Sequence, residues 1–279
     1  LEKYRKLQQQ IDKRIAVLDP LIVQLERVAE AGIGDVSKVA AAQRTVSAIR
    51  IEQTSIAEGL IQAETAFLNS FGDLREEIPY DHKFITSLVP TSIDDEMIKS
   101  APLIRAQYAA YQASLARVSS LKAKGGFNVG FEASALKPFA GSGYDSDEKV
   151  GLVARKTLFN GGMFEAEIQQ AEAEAQAGVA QIQVTYRTGV QTVEMARKNI
   201  QSMDRAILIA NKNAKLTSDE IVYLKQQLII GGSTLDSVLS AEARLYEAES
   251  KEIKFLTEKH KSELIIVSSL GVLSNALGF

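Results

Sequence analysis

One stretch decides the fold: it runs from Phe127 to Phe164 and has the sequence FNVGFEASALKPFAGSGYDSDEKVGLVARKTLFNGGMF. Apolar and polar residues alternate in it on both sides of a segment rich in Gly, Ser and Asp. A two-residue period gives an extended strand one apolar and one polar face, and Gly, Ser and Asp are typical of loops. We therefore predict a β-hairpin over residues 127–160.

Long helices are predicted on both sides of this hairpin. Apolar residues recur every three or four positions before it, and again from Gly162 to about Ile229 after it, which is the pattern of amphipathic helices. The second of these helices would extend roughly 100 Å at about 1.5 Å per residue, and it would need neighbours along its length. We predict a mainly α fold of very long antiparallel helices with one β-hairpin.

Glycine and proline residues indicate where the helices end. Gly32 and Gly34 should stop the first helix, whereas Pro20 should kink it without ending it. Ser233 and Asp236 have a capping-box-like relation at the start of the last helix. The predicted segments are a first helical hairpin over residues 1–72, a connecting segment over 73–100, a helix over 101–126, the β-hairpin over 127–160 and a second long helical hairpin over 161–279.

Composition excludes several classes of protein. Aromatic residues make up only 6% of the chain, so we do not expect a thick globular core, and the net charge of −3 gives no general attraction to nucleic acid. The absence of Cys excludes disulfides and thiolate chemistry. The apolar stretch from Leu264 to Phe279 is interrupted by Ser, Gly and Asn, so we expect it to pack on neighbouring helices rather than cross a membrane.

No motif in the sequence predicts an enzyme. His82 and His260 are the only histidines, and neither has a ligand or nucleophile partner at a characteristic spacing. No phosphate-binding loop or nucleophile elbow is present. We therefore predict no catalytic residue, no cofactor and no metal site, and we expect surface or core roles for both histidines.

The chain also contains an internal repeat. One constant shift, without a gap, places Gly32 on Gly231, Ala42 on Ala241 and Gly72 on Gly271. The equal spacing of the two glycines in each copy favours duplication. Under this shift the counterparts of residues 101–199 are absent from the front of the chain, so we expect roughly 100 residues of the natural precursor to be missing here.

Two motifs resemble the TolC-like outer-membrane efflux protein family. The first is Lys149–Leu152 leading to Leu158–Gly162, which is similar to the family's entry from a strand into a long helix. The second is Gly231–Glu242, which is similar to its helix-turn-helix tip, and Gly32–Ala42 is a weaker copy. Thr157 stands where the family usually has Pro, which leaves the geometry of the bend open.

The resemblance implies a passive homotrimeric conduit. Each subunit would give strands to a shared β-barrel in the outer membrane and long helices to an α-barrel that crosses the periplasm, although a single hairpin cannot supply the family's four strands. The helical tips would form an entrance that docks a periplasmic adaptor protein, itself coupled to an inner-membrane transporter. The family serves both tripartite drug efflux and type I secretion, and both remain open for this chain.

Three sets of residues follow from the resemblance. The adaptor-docking tips would be Gly32, Ile33, Gly34, Asp35, Gly231, Gly232, Ser233 and Thr234. The candidate gate would be Lys38, Asp236, Ser237 and Ser240, although the acidic residues that are frequent in the family are replaced here at most of these positions, so hydrogen bonding or helix capping stays an alternative. The lipid-facing residues would be Phe127, Val129, Phe131, Val150, Leu152 and Ala154.

Two alternatives remain at this stage. The hairpin strands have the length that an outer-membrane strand requires, but the same alternation is typical of a soluble hairpin with its apolar face packed on helices. The whole chain has the composition of a soluble structural coiled coil or an adaptor-like helical scaffold without a pore.

Overall fold

A computed structural model describes residues 1–32, 36–72, 82–136 and 147–278 of the chain. Within these ranges most residues are helical and two strands form one sheet, which confirms the predicted mainly α fold with one β-hairpin. The elements are α1 (Glu2–Glu30), α2 (Val36–Phe71), α3 (His82–Leu88), α4 (Asp95–Lys99), α5 (Pro102–Lys124), β1 (Asn128–Leu136), β2 (Asp147–Arg155), α6 (Met163–Ile229), α7 (Leu235–Ser269) and α8 (Val272–Leu277).

The helix ends lie close to the predicted breaks. Helix α6 contains 67 residues and ends at Ile229. Pro20 lies inside α1, which continues to Glu30 as expected. Gly32 and Gly231 have φ of 62° and 76°, and Gly72 and Gly271 have φ of 74° and 73°. Because only glycine adopts this left-handed conformation without a steric cost, it is the usual residue just beyond the C-terminal end of a helix.

The structure also supports the internal repeat. The shift that places Gly32 on Gly231 brings the end of α1 onto the end of α6 and the start of α2 onto the start of α7. The paired glycines share their unusual backbone conformation. We call α1 with α2 the first helical hairpin, and the part of α6 from residue 200 onward with α7 the second helical hairpin.

The chain divides into two compact units. Unit 1 comprises residues 1–90, 192–268 and 272–279, and unit 2 comprises residues 91–191 and 269–271. In unit 1, helix α7 packs in two apolar clusters, one shared with α1 and α2 and the other shared with α6. The first cluster consists of Leu7, Ile11, Leu18, Leu25, Ala42, Ile49, Ile56, Leu239 and Tyr246.

Unit 2 contains α4, α5, the first part of α6 and the β-hairpin between α5 and α6. Val118 of α5 packs against Ala171 and Ala175 of α6. Small residues at a helix interface allow two helices to approach closely, which suits a slender helical pair. Strands β1 and β2 pair antiparallel, and in the sequence they lie between α5 and α6.

The C-terminal stretch packs on its neighbours only in its first part, since α8 has no buried residue and Leu277 is exposed. Ile266, Val267 and Leu270 are buried. Across the described residues, none of the helices has both the length and the apolar character that a membrane crossing needs.

Candidate functional site

The β-hairpin carries an exposed apolar face. Its register pairs Val129 with Ala154, Phe131 with Leu152 and Ala133 with Val150, so these side chains share one side of the sheet. The exposed fractions of Phe131 and Leu152 are 69% and 80%. Phe127 lies just before β1 and is also exposed. The alternative in which this face packs on helices is therefore wrong for the described residues.

The opposite face of the hairpin is polar. Arg155 Nη1 lies 2.6 Å from Glu132 Oε1, so the two charges neutralise each other. At the end of the hairpin, Lys156 Nζ lies 5.3 Å from the centre of the Phe127 ring, within the range of a cation–π interaction. A long lysine side chain can cover apolar surface in this way while its ammonium group stays near water.

The turn between α6 and α7 is held by backbone and hydroxyl hydrogen bonds. The Gly232 amide donates to the Gln227 carbonyl at 2.9 Å, and the Ser233 hydroxyl donates to the Leu224 carbonyl at 3.1 Å. The Thr234 Oγ1 accepts a hydrogen bond from the Ser237 amide at 3.3 Å. The predicted capping relation of Ser233 is thus wrong: Thr234 caps α7, because Ser233 is turned back onto the last turns of α6.

The candidate gate residues lie in the first turns of α7. Asp236, Ser237 and Ser240 are half-buried, and the Ser237 hydroxyl lies 2.8 Å from that of Thr234. Of the first tip, Gly32 is described and has a positive φ. Ile33, Gly34 and Asp35 lie outside the described residues, as does the side chain of Lys38. The structure therefore describes the second tip and only the start of the first.

An open groove borders the second tip. Its volume is about 380 Å³, and it is lined by Gln24 and Arg27 of α1, Leu228 of α6 and Leu235 of α7. Two apolar and two polar side chains thus come from both helical hairpins of unit 1. The sequence pattern did not predict this groove, because its residues come together only when the two hairpins pack.

A buried ionic network joins the same two hairpins. The Arg14 guanidinium binds the carboxylate of Glu242, and its Nη2 lies 2.7 Å from Glu249 Oε2. Lys225 Nζ lies 2.8 Å from Glu242 Oε1. The side chains of Arg14 and Glu242 are only 8% and 2% exposed. Nothing in the sequence pattern indicated this network, since its members are far apart in the chain.

In the part of the chain that the structure describes, no group of three or more His, Cys, Asp or Glu side chains is arranged to hold a metal ion. His82 and His260 do lie together, with ring centres 4.8 Å apart. Stacked imidazole rings do not direct their nitrogen atoms at a common ion.

Comparison with known proteins identifies the family. A family model described as "Outer membrane efflux protein" matches residues 95–272, which is more than half of the chain. This chain belongs to the outer membrane efflux protein family. The matched residues include the β-hairpin, α6, the second tip and α7, whereas the first helical hairpin lies outside them.

Relatives and solved structures agree with this assignment. Outer membrane protein TolC of Escherichia coli (strain K12) is 25% identical over 151 residues, which are 53% of this chain and 31% of that protein. The outer membrane protein VceC of Vibrio cholerae has a TM-score of 0.79 at 18% identity, covering 96% of this chain and 66% of that one. For CusC the TM-score is 0.81 at 15% identity, covering 96% and 65%. The chain thus spans just under two thirds of these solved structures.

These comparisons confirm the α-barrel type of fold and the resemblance stated above. Proteins of this family are channels rather than enzymes, which agrees with the sequence-based prediction that this chain is not an enzyme. Family membership also favours the channel hypothesis over the soluble coiled-coil or adaptor-like scaffold.

Proposed function

We propose that this chain forms part of a trimeric outer-membrane efflux channel whose long helices lie in the periplasm. Solutes would pass through it without chemistry. The observation that carries the proposal is the exposed apolar face of the hairpin. Val129, Phe131, Val150 and Leu152 form a paired apolar surface with nothing packed on it among the described residues.

The chemistry of that face suits lipid. An outward apolar surface on strands of nine residues matches the band that an outer-membrane protein presents to the acyl chains. The polar face with Glu132 and Arg155 would line the water-filled side. The predicted lipid-facing set of Phe127, Val129, Phe131, Val150, Leu152 and Ala154 remains part of the proposal.

The two helical tips are the proposed entrance. Residues Gly32–Asp35 and Gly231–Thr234 would dock a periplasmic adaptor that connects the channel to an inner-membrane transporter. The groove lined by Gln24, Arg27, Leu228 and Leu235 supports this part of the proposal, because it offers two apolar side chains and a cation beside the second tip. Lys38, Asp236, Ser237 and Ser240 are proposed as the gate.

A matched pair of charge substitutions tests the membrane face. Leu152→Arg places a charge on the apolar face, where the cost near the membrane centre is about 2–4 kcal/mol. Val153→Arg places the same charge one residue further, on the polar face. Both variants would be expressed in a host with an outer membrane, and the fraction recovered there as a detergent-resistant trimer would be measured.

We expect Leu152→Arg to reduce the trimer in the outer-membrane fraction and Val153→Arg to leave it close to the unsubstituted level. Recovery of the unsubstituted protein as a soluble monomer would refute the channel. An equal response of the two variants would refute the assignment of the faces.

Substitution of Gly231 and Gly232 by Ala should impair export while trimers persist, and undisturbed export would show that the second tip is not the entrance.

A further inference from the structure

The only two histidines of the chain meet in unit 1. The rings of His82 and His260 stack with their centres 4.8 Å apart and an interplanar angle of 26°. His82 begins α3, and His260 lies in the C-terminal half of α7. Both residues are half-buried. Two imidazole rings therefore join a short helix to a long one.

Helix α3 depends on such contacts. It has seven residues, too few for a helix to be stable alone. Besides the histidine stack, Ile85 is buried, and the Thr86 hydroxyl donates to Glu263 Oε2 of α7 at 2.9 Å. Loss of one of these contacts should therefore measurably lower the stability of the packing of α3 against α7.

The surroundings of His260 favour its neutral form. Burial lowers the pKa of His260 below its ordinary value of 6.5, and the neighbouring His82 lowers it further. The carboxylate of Glu263 acts in the opposite direction. Weaker effects come from two residues of α1: Glu2 raises the pKa of His260 and Lys6 lowers it.

Other charged groups surround the stack. His260 borders a cavity of about 420 Å³. The charged side chains that line this cavity with it are Glu2, Lys3, Arg5, Lys6 and Lys261. Helix α2 contributes Phe67, which carries no charge. The Lys259 ammonium lies 3.9 Å from Glu263 and 2.6 Å from Asp204, so both carboxylates have a cation beside them.

We propose that the His82–His260 stack is a pH-sensitive contact, which holds α3 against α7 while His260 is neutral and releases it when His260 is protonated. The neighbouring His82 disfavours a positive charge on His260, whereas two neutral rings stack favourably. The inference concerns a contact within unit 1 and does not depend on the channel hypothesis.

The direction of the pH effect follows from linkage. Because His82 of α3 contributes to lowering the pKa of His260, His260 binds fewer protons with α3 attached than when the contact is broken. The attached state therefore keeps its full stability above pH 6.5 and loses stability as the pH falls below that value. Acidification should release α3 while α7, a helix of 35 residues with many buried positions, stays folded.

Hydrogen exchange tests this release. Backbone protection of residues 82–88 would be measured by mass spectrometry at about pH 7.5 and about pH 5.5, on either side of the ordinary histidine pKa, and corrected for the intrinsic pH dependence of exchange. The purified protein in detergent would be used. We expect residues 82–88 to lose protection at the lower pH and residues 235–269 to keep it.

Two variants separate the stack from other acidic effects. His260→Phe keeps a flat ring and removes its titration, so protection of residues 82–88 should no longer respond to pH. Glu263→Gln removes the charge that raises the pKa of His260, so the transition should shift to lower pH. Equal protection at both pH values in the unsubstituted protein, or an unchanged loss in His260→Phe, would overturn the proposal.

Discussion

The two helical hairpins share one backbone pattern but differ in their environment. In both, a glycine with positive φ follows the first helix and another follows the second. An added Cβ at Gly72 would meet nothing within 4 Å, whereas at Gly271 it would lie 2.6 Å from Pro102 Cγ. Helix α2 contributes to one apolar cluster and leaves Ile51, Ile61 and Phe71 exposed. Helix α7 contributes buried residues to two apolar clusters.

The buried ionic network shows the same asymmetry. Under the repeat, Arg14 corresponds to Asn213 and Glu242 corresponds to Gln43. Both counterparts are exposed. The network therefore exists only once, between α1 of the first hairpin and α6 and α7 of the second. The two copies of the repeat thus share the backbone conformation of their turns but not their buried polar contacts.

The largest expected effect comes from the buried network. Arg14→Met leaves the carboxylate of Glu242 buried with only the half-exposed Lys225 beside it. Removing one partner of a buried ion pair costs about 3–5 kcal/mol. We expect a loss of this order in the free energy of unfolding, measured by urea denaturation with circular dichroism.

An exposed ion pair between α6 and α7, within the second helical hairpin, provides the control. Arg244 Nη2 lies 2.7 Å from Glu220 Oε1, and both side chains are about half exposed. Arg244→Met should therefore cost at most about 1 kcal/mol. If both arginine variants lose the same small amount of stability, the network does not join the hairpins in the way described.

The second-largest expected effect is a difference in stability between alanine variants of Gly72 and Gly271, the glycines that follow α2 and α7. Gly72→Ala should cost about 1–2 kcal/mol, because Ala is strained in the left-handed conformation. Gly271→Ala should cost more, since its Cβ would also collide with the ring of Pro102. Thermal unfolding of both variants measures the difference. Adding Pro102→Ala should recover part of the loss in Gly271→Ala and none in Gly72→Ala, and equal losses at the two glycines would contradict this packing.

The smallest effect concerns the start of α7. Thr234→Ala removes the hydroxyl that accepts from the Ser237 amide, and the loss of an N-terminal cap costs about 1 kcal/mol. Ser233→Ala removes only the bond to the Leu224 carbonyl of α6. Chemical denaturation should show a larger loss for Thr234→Ala, and the reverse order would restore the capping-box assignment of Ser233.

Much of the fold could be predicted because its signals are local. The alternation around Phe131 and Leu152 predicts both the strands and the face they share, since side chains on a strand point to opposite sides in turn. Gly32, Gly72 and Gly231 mark helix ends because few other residues adopt their backbone conformation. The end of α6 near Ile229 follows from the same reasoning.

The contacts between distant segments could not be predicted in this way. Arg14 and Glu242 lie in different hairpins, and a surface charge and a buried one look alike in a helical pattern. His82 and His260 likewise carry no mutual spacing that one sequence reveals. At the start of α7, Ser233 and Thr234 are both good capping residues, and only the path of the turn decides between them.

The ion pair between Glu132 and Arg155 has a consequence for solute discrimination. In the proposed channel the two residues would be opposite charges on the wall of the pore, held 2.6 Å apart and summing to zero. Such a pair creates only a short-range field, which salt weakens further. This part of the wall would admit cations and anions alike, and any preference for one sign of charge would arise elsewhere along the conduit.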